Sequence, residues 1–171
     1  AATIAIWTGI LAIYKLLQRL SFSEFTCQAV CVCLIIATHL SYYTWAEPGM
    51  SHVYAFALIA WVLNLSYRLA FAYNSRLVFF WFLVLAVLVI LRPFHVLWGF
   101  APLFWNASWT HIRKIFFNRN SLPGWLIFIA VISIQSVVWY MQTGSLVKDT
   151  YPADGFYFLN PQVLKFLFHP Q

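Results

Sequence analysis

One apolar run constrains this chain more than any other feature. From Leu77 to Leu91, fifteen consecutive residues carry no polar side chain; Arg92-Pro93 follows, and Phe94 to Trp105 is apolar again apart from His95. As one helix, the 29 residues from 77 to 105 would measure about 43 Å at roughly 1.5 Å per residue. A bilayer's hydrocarbon core is only about 30 Å thick. The segment must therefore tilt strongly, lie along a membrane, or break at Pro93.

The composition of the chain agrees with a membrane environment. Apolar residues make up 63% of the sequence and charged residues 8%, whereas about 25% of a soluble domain is charged. Fourteen charged side chains could not cover a water-facing surface, which excludes a soluble enzyme, a disordered tail and a secreted disulfide scaffold. The apolar runs are continuous rather than alternating, which favours helices over a β-barrel. The sequence predicts an all-α integral membrane protein.

Five apolar stretches organise the chain. They run from Thr3 to Leu20, Phe25 to Trp45, His52 to Tyr73, Leu77 to Trp105 and Pro123 to Val147. They predict about five apolar helices, in an N-terminal transmembrane part (1–76) and a long helical hairpin (77–149) that is steeply inclined to the membrane normal. A polar, irregular tail (150–171) is expected outside the hydrocarbon, in contact with neighbouring subunits.

The charges give an orientation and one conflict. If the first three stretches cross in turn, one side collects Lys15, Arg19, Arg68 and Arg76, and the Glu47 loop lies on the other. This is a positive-inside pattern, so the net charge of +6 does not indicate a nucleic-acid partner. A simple crossing by the fourth stretch would put the basic residues of 111–119 on the wrong side. Either that stretch does not cross simply, or the rule fails here.

The sequence shows no catalytic apparatus for acyl, glycosyl or phosphoryl transfer. It has no nucleophile elbow, no glycine-rich phosphate loop and no paired carboxylates, and its four acidic residues lie near segment ends. Cys27, Cys31 and Cys33 share one apolar segment without histidine or acidic partners, so we interpret them as packing residues. No cofactor and no metal are predicted, and an enzymatic activity stays uncertain.

Arg92 is the candidate functional residue. Apart from His95 it is the sole ionisable group between Leu77 and Thr110. A charge at the middle of a membrane helix costs at least about 2.5–3.5 kcal/mol, so it normally faces an aqueous cavity or a partner. The alternative is an arginine at a helix end that snorkels to lipid headgroups, with Pro93 ending the helix.

A second polar residue lies in the last apolar stretch. From Leu122 to Tyr140, Gln135 is the one large polar side chain. This stretch resembles the last helix of subunit a of the F-type ATP synthase, a family with a proline near the helix start, a mid-helix glutamine, and an essential arginine a little over forty residues upstream. Here Pro123 precedes Gln135 by 135 − 123 = 12 residues, and Arg92 precedes it by 135 − 92 = 43. Pro93 and Phe94, which follow Arg92, depart from the family pattern.

The resemblance implies a function and a set of partners. The chain would be a proton-translocating stator subunit that forms half-channels against a ring of rotor carboxylates, in the mitochondrial inner membrane or a bacterial plasma membrane. Arg92 would attract the ionised rotor carboxylate, and Gln135 would orient the guanidinium. Candidates for the proton path are His95, Ser133, Ser136 and Gln142.

Two other classes stay open. In the first, the chain is a non-catalytic accessory membrane subunit of a large respiratory-type complex. Arg92 then binds the phosphate of a lipid such as cardiolipin, and Gln135 makes an interhelical hydrogen bond. In the second, the chain anchors a quinone or a haem, for which His39, His52 and His95 are possible ligands.

Overall fold

The fold is known from a computed structural model, which describes residues 1–105, 108–144 and 146. In these residues all regular structure is helical, which confirms the predicted helical class. The chain divides into two compact units, 1–135 and 136–171. The functional division at residues 76 and 149 stays a prediction, and the tail from 150 onward lies outside the described residues.

Seven α-helices are present in the described residues. They are α1 (Ala2–Arg19), α2 (Glu24–Ile36), α3 (Leu40–Trp45), α4 (Ser51–Phe71), α5 (Ser75–Leu91), α6 (Trp109–Phe117) and α7 (Leu122–Thr143). A 3₁₀ segment (Pro93–Trp105) follows α5, and a short 3₁₀ turn (Arg119–Ser121) leads into α7. Among the described residues, α4 and the stretch Arg119–Thr143 that contains α7 are long and apolar enough to cross a membrane.

The second apolar stretch is not one helix, which corrects the prediction for Phe25 to Trp45. Its first part, α2, has 13 residues and is about 20 Å long, too short to cross a bilayer alone. Hydroxyl groups take up carbonyls at its end: Thr38 Oγ1 donates to Leu34 O, and Ser41 Oγ donates to Ile35 O at 2.9 Å. Such side-chain bonds compete with continuation of a helix. The chain therefore ends α2 and restarts as α3.

The fourth stretch breaks at Pro93. Helix α5 ends at Leu91, and Arg92 is extended, with φ −155° and ψ 121°. A residue before proline is disfavoured in the α region, and proline offers no N–H to continue the helix. The stretch from Leu77 to Trp105 is therefore not one continuous helix, and the break at Pro93, one of its three alternatives, is confirmed. The inclination of the hairpin to a membrane stays a prediction.

After the break, the 3₁₀ segment runs back along α4. Its start lies where Arg92 Nη2 donates to Ser51 Oγ at 3.4 Å, at the beginning of α4. Its end lies near the end of α4, where the rings of Trp105 and Tyr67 pack edge to face at 5.3 Å. The two paths match in length, because sixteen α-helical steps and thirteen 3₁₀ residues each cover about 25 Å. The 3₁₀ segment is thus antiparallel to α5.

This return brings the basic residues to one end of the first compact unit, here named the basic end. Tyr67 OH at this end donates to Arg19 O at 2.9 Å, and the hydroxyls of Tyr73 and Ser121 lie 3.4 Å apart. Ser121 Oγ in turn donates to Lys114 O at 3.0 Å. The basic end carries Lys15, Arg19, Arg68, Arg76, Arg113, Lys114 and Arg119. The conflict in the charge pattern disappears, because the fourth stretch turns back instead of crossing simply.

Buried polar bonds connect α4 to its two neighbours. Asn64 is 1% exposed; its Nδ2 donates to Ala12 O at 2.7 Å, and its Oδ1 accepts a bond from Arg19. On the opposite neighbour, the indole Nε1 of Trp81 donates to Ser66 Oγ at 2.8 Å, with both side chains fully buried. Between helices in a bilayer, where the hydrophobic effect does not drive association, such hydrogen bonds help to determine how the helices pack.

We expect Ser66→Ala to lower the free energy of unfolding by about 1–2 kcal/mol, because it leaves the buried indole N–H of Trp81 without an acceptor. Chemical unfolding of the purified chain in detergent measures this. Ser133→Ala is the matched control: its side chain is exposed in α7, and we expect a change within about 0.5 kcal/mol. In the Trp81→Phe background, Ser66→Ala should lower the free energy of unfolding by less than it does in the unchanged chain. Equal losses in the two backgrounds would mean that the hydrogen bond contributes nothing to stability.

Candidate functional site at the end of α5

Arg92 lies exposed at the carboxyl end of α5. Its guanidinium donates to the Ser51 hydroxyl at 3.4 Å and has no carboxylate partner among the described residues. The carboxylate at this end, Glu47, instead accepts a bond from Tyr42 OH at 3.0 Å. That bond raises the pKa of Tyr42 above its usual value. Arg92 is therefore a cation without a protein counter-charge in the described part of the chain.

Gln135 lies half-buried in the second half of α7. No hydrogen bond joins it to Arg92 in the described residues. The ring contacts between α5 and α7 lie in the first two turns of α7, where Phe82 packs against Trp125 at 4.7 Å and Phe128 at 6.1 Å. Gln135 is seven residues, or about 10 Å, further along the helix. The pairing of Arg92 with Gln135 stays a prediction.

The four proton-path candidates are divided between the two compact units, with His95 and Ser133 in the first. His95 is half-buried in the 3₁₀ segment; its backbone N–H donates to Arg92 O at 2.9 Å, and its buried Nε2 has no hydrogen-bond partner among the described residues. Ser133 is exposed and lies about 200° around α7 from Gln135, on the other face of the helix. In the second compact unit, Ser136 is half-buried and Gln142 is exposed.

Two of the histidines considered as haem ligands flank one tyrosine. The ring of His52 lies 4.6 Å from Tyr43, and the ring of His39 lies 6.4 Å from it. Both histidines are exposed. No group of three or more histidine, cysteine or acidic residues that could hold a metal ion occurs in the described ranges. Cys27 and Cys31 are buried, and Cys31 lies in a cluster with Ile6, Ile10 and Val53.

The sequence reasoning missed the polar contact of Asn64 with Arg19 and α1. The signal was present, because Asn64 is a single amide inside a long apolar helix, as Gln135 is. Arg19 is the last residue of α1, and its hydrogen bond to Asn64 holds the basic side chain against α4.

Comparison with known proteins adds no assignment. No protein-family model matches the sequence, and no significant match was found among curated proteins or solved structures.

Proposed function

We propose that the chain is a non-catalytic, membrane-embedded subunit of a larger assembly, and that Arg92 binds a lipid phosphate at a membrane interface. The observation that supports this is the position of Arg92, exposed at a helix end and without a carboxylate partner in the described residues. An arginine placed there extends to phosphate headgroups at low cost. Anionic lipids such as cardiolipin fit this role.

The surface of α7 supports a place among lipids and other subunits. Gly124 is the one buried residue of this helix. Its exposed apolar side chains include Leu126, Ile129 and Ile134, which are 58%, 56% and 65% exposed. An apolar surface of this extent is typical of contact with lipid or with a partner protein.

The charge distribution supports an orientation. The basic end contains lysines and arginines from four helices and from the turn before α7. Glu47 lies at the other end, where Arg92 also lies. By the positive-inside rule the basic end faces the cytoplasm, or the matrix if the membrane is the mitochondrial inner one. Arg92 then lies at the opposite interface.

A second candidate is the proton-translocating role that the resemblance to subunit a implies. The spacing of Arg92 and Gln135 favours it, and a guanidinium without a counter-charge is free to meet a rotor carboxylate. In this proposal the partner is a ring of acidic helices, and the membrane is the mitochondrial inner one. Water in the half-channels is held by His95, Ser133, Ser136 and Gln142. It ranks second, because α5 ends at Arg92 instead of continuing through it.

Substitutions of Arg92 separate the two proposals. For a lipid anchor, Arg92→Lys keeps the charge and should be nearly silent, whereas Arg92→Ala should lower the abundance of the chain in membranes several-fold. For the proton path, both variants should assemble normally and abolish proton-driven ATP synthesis, since lysine lacks the planar fork. Gln135→Leu should then slow synthesis more mildly.

The measurements are chain abundance by immunoblot of native membranes and ATP synthesis in the same membranes. Arg113→Ala is the matched control, because Arg113 is an exposed arginine at the basic end. Normal abundance and normal synthesis with Arg92→Ala would contradict both proposals. Normal synthesis with Arg92→Lys would contradict the proton path alone.

A further inference from the structure

A cleft of about 550 Å³ opens at the basic end, between the start of α5 and the start of α7. Two arginines line it, Arg76 from the first turn of α5 and Arg119 from the turn before α7. The rest of its wall is mostly apolar, with Phe79 and Phe80 on one side and Leu122 and Pro123 on the other, and it includes the polar side chains of Ser75 and Asn120. All of these residues belong to the first compact unit.

The two arginines have no counter-charge in the described residues. Both side chains are exposed, neither makes an ion pair or a side-chain hydrogen bond there, and no acidic residue lines the cleft. Two guanidinium groups at one opening repel each other unless an anion lies between them. A phosphate suits this position, since the planar guanidinium fork matches phosphate oxygens with paired hydrogen bonds.

The apolar wall selects among phosphate-bearing ligands. Phe80 is 53% exposed and Leu122 is 54% exposed, so both present apolar surface that a free phosphate ion leaves in contact with water. A ligand with a phosphate and a hydrocarbon chain satisfies both halves of the cleft. The volume is also far larger than one phosphate ion needs.

We propose that this cleft binds one anionic phospholipid, with its phosphate between Arg76 and Arg119 and an acyl chain along Phe79 and Phe80. The proposal rests on the membrane placement in the proposed function, but on neither role of Arg92. The site lies at the opposite end of α5 from Arg92, so a single chain meets headgroups at both of its ends. It differs from general attraction to a negative surface, because it requires these two arginines and this wall.

The test measures lipid binding by the purified full chain in neutral detergent. The probes are dioleoyl-phosphatidylglycerol and dioleoyl-phosphatidylcholine, and bound lipid is counted by native mass spectrometry. We expect one phosphatidylglycerol per chain to bind in preference to phosphatidylcholine. Arg76→Gln and Arg119→Gln should each weaken phosphatidylglycerol binding about fivefold, and together about 25-fold, as expected for the loss of one near-surface charge each.

Arg113→Gln is the matched control, since it removes an exposed arginine of the same end that does not line the cleft. An effect equal to that of Arg76→Gln would overturn the proposal in favour of diffuse attraction. Displacement of the lipid by millimolar inorganic phosphate would overturn it in favour of a free-phosphate site. Phe80→Ser should weaken lipid binding with both arginines intact, and an unchanged affinity would exclude the acyl-chain position.

The melting temperature of each variant in the same detergent shows that the variant is folded. If an arginine variant does not fold, Arg76→Lys tests the same point, because it keeps the charge and loses the fork. We expect it to weaken phosphatidylglycerol binding by less than the fivefold effect of Arg76→Gln, and full binding would overturn the paired-arginine geometry. The assay uses no partner subunit and no ATP synthesis. Its result is therefore separate from the outcome of the Arg92 experiment.

Discussion

Replacing Gly9 by leucine should lower the free energy of unfolding by about 3 kcal/mol, because the helices α1 and α4 touch at this position. A Cβ atom on Gly9 would lie 2.7 Å from Phe56 Cε1 and 2.9 Å from the Cα of Ala57. The phenyl ring can turn aside, but the backbone of α4 cannot. Small residues at such a crossing let two helix backbones approach closely, and any side chain there forces them apart.

Gly49 offers the matched control for this prediction. It lies in the loop before α4, and a Cβ atom there would meet nothing within 4 Å. Gly49→Leu should change stability by less than about 0.5 kcal/mol. Chemical unfolding in detergent compares the two variants. A Gly9→Leu chain as stable as the Gly49→Leu chain would mean that α1 does not lie against α4 at Gly9.

The break at Pro93 shows what local sequence decides and what it leaves open. Proline restricts the residue before it and lacks an N–H, so an interruption after Leu91 could be read from the sequence alone. The direction of the chain after the break could not. It depends on contacts far apart in sequence, such as Trp105 against Tyr67 and Arg92 against Ser51. The unexplained charge pattern was the indirect sign that the chain turns back.

Asn64 and Gln135 show the same limit for the candidate site. Each is an amide inside an apolar helix, and the residues around it in the sequence do not predict which group it bonds to. Asn64 is buried because α1 packs over it and supplies both Arg19 and the carbonyl of Ala12. Gln135 follows the part of α7 that contacts α5, and it is half-buried. Which amide meets an arginine was decided by helix packing, which composition and spacing do not encode.

The aromatic cluster at the start of α7 should give the largest loss of stability in the chain. Phe82 is 1% exposed, and its ring contacts the rings of Trp81, Phe116, Trp125 and Phe128 at 4.7 to 6.2 Å. We expect Phe82→Ala to lower the free energy of unfolding by about 4 kcal/mol, since neighbours held by several rings cannot close the cavity. Phe80→Ala is the control on the same helix, with a ring that is 53% exposed.

A double-mutant cycle with Gly124 tests whether this cluster also holds α7 in place. A Cβ atom on Gly124 would lie 2.5 Å from Phe82 Cδ2 and 3.2 Å from Cγ, so Gly124→Ala alone should cost about 2 kcal/mol. In the Phe82→Ala background the obstructing ring is absent. There the added methyl group should cost nothing, or stabilise by up to about 1 kcal/mol through the better helix propensity of alanine. The coupling between the two sites should therefore be about 2 kcal/mol or more in unfolding experiments in detergent. Strictly additive effects would mean that the start of α7 does not pack against Phe82. The position of Gln135 beyond the contact between α5 and α7 would then lose its structural support.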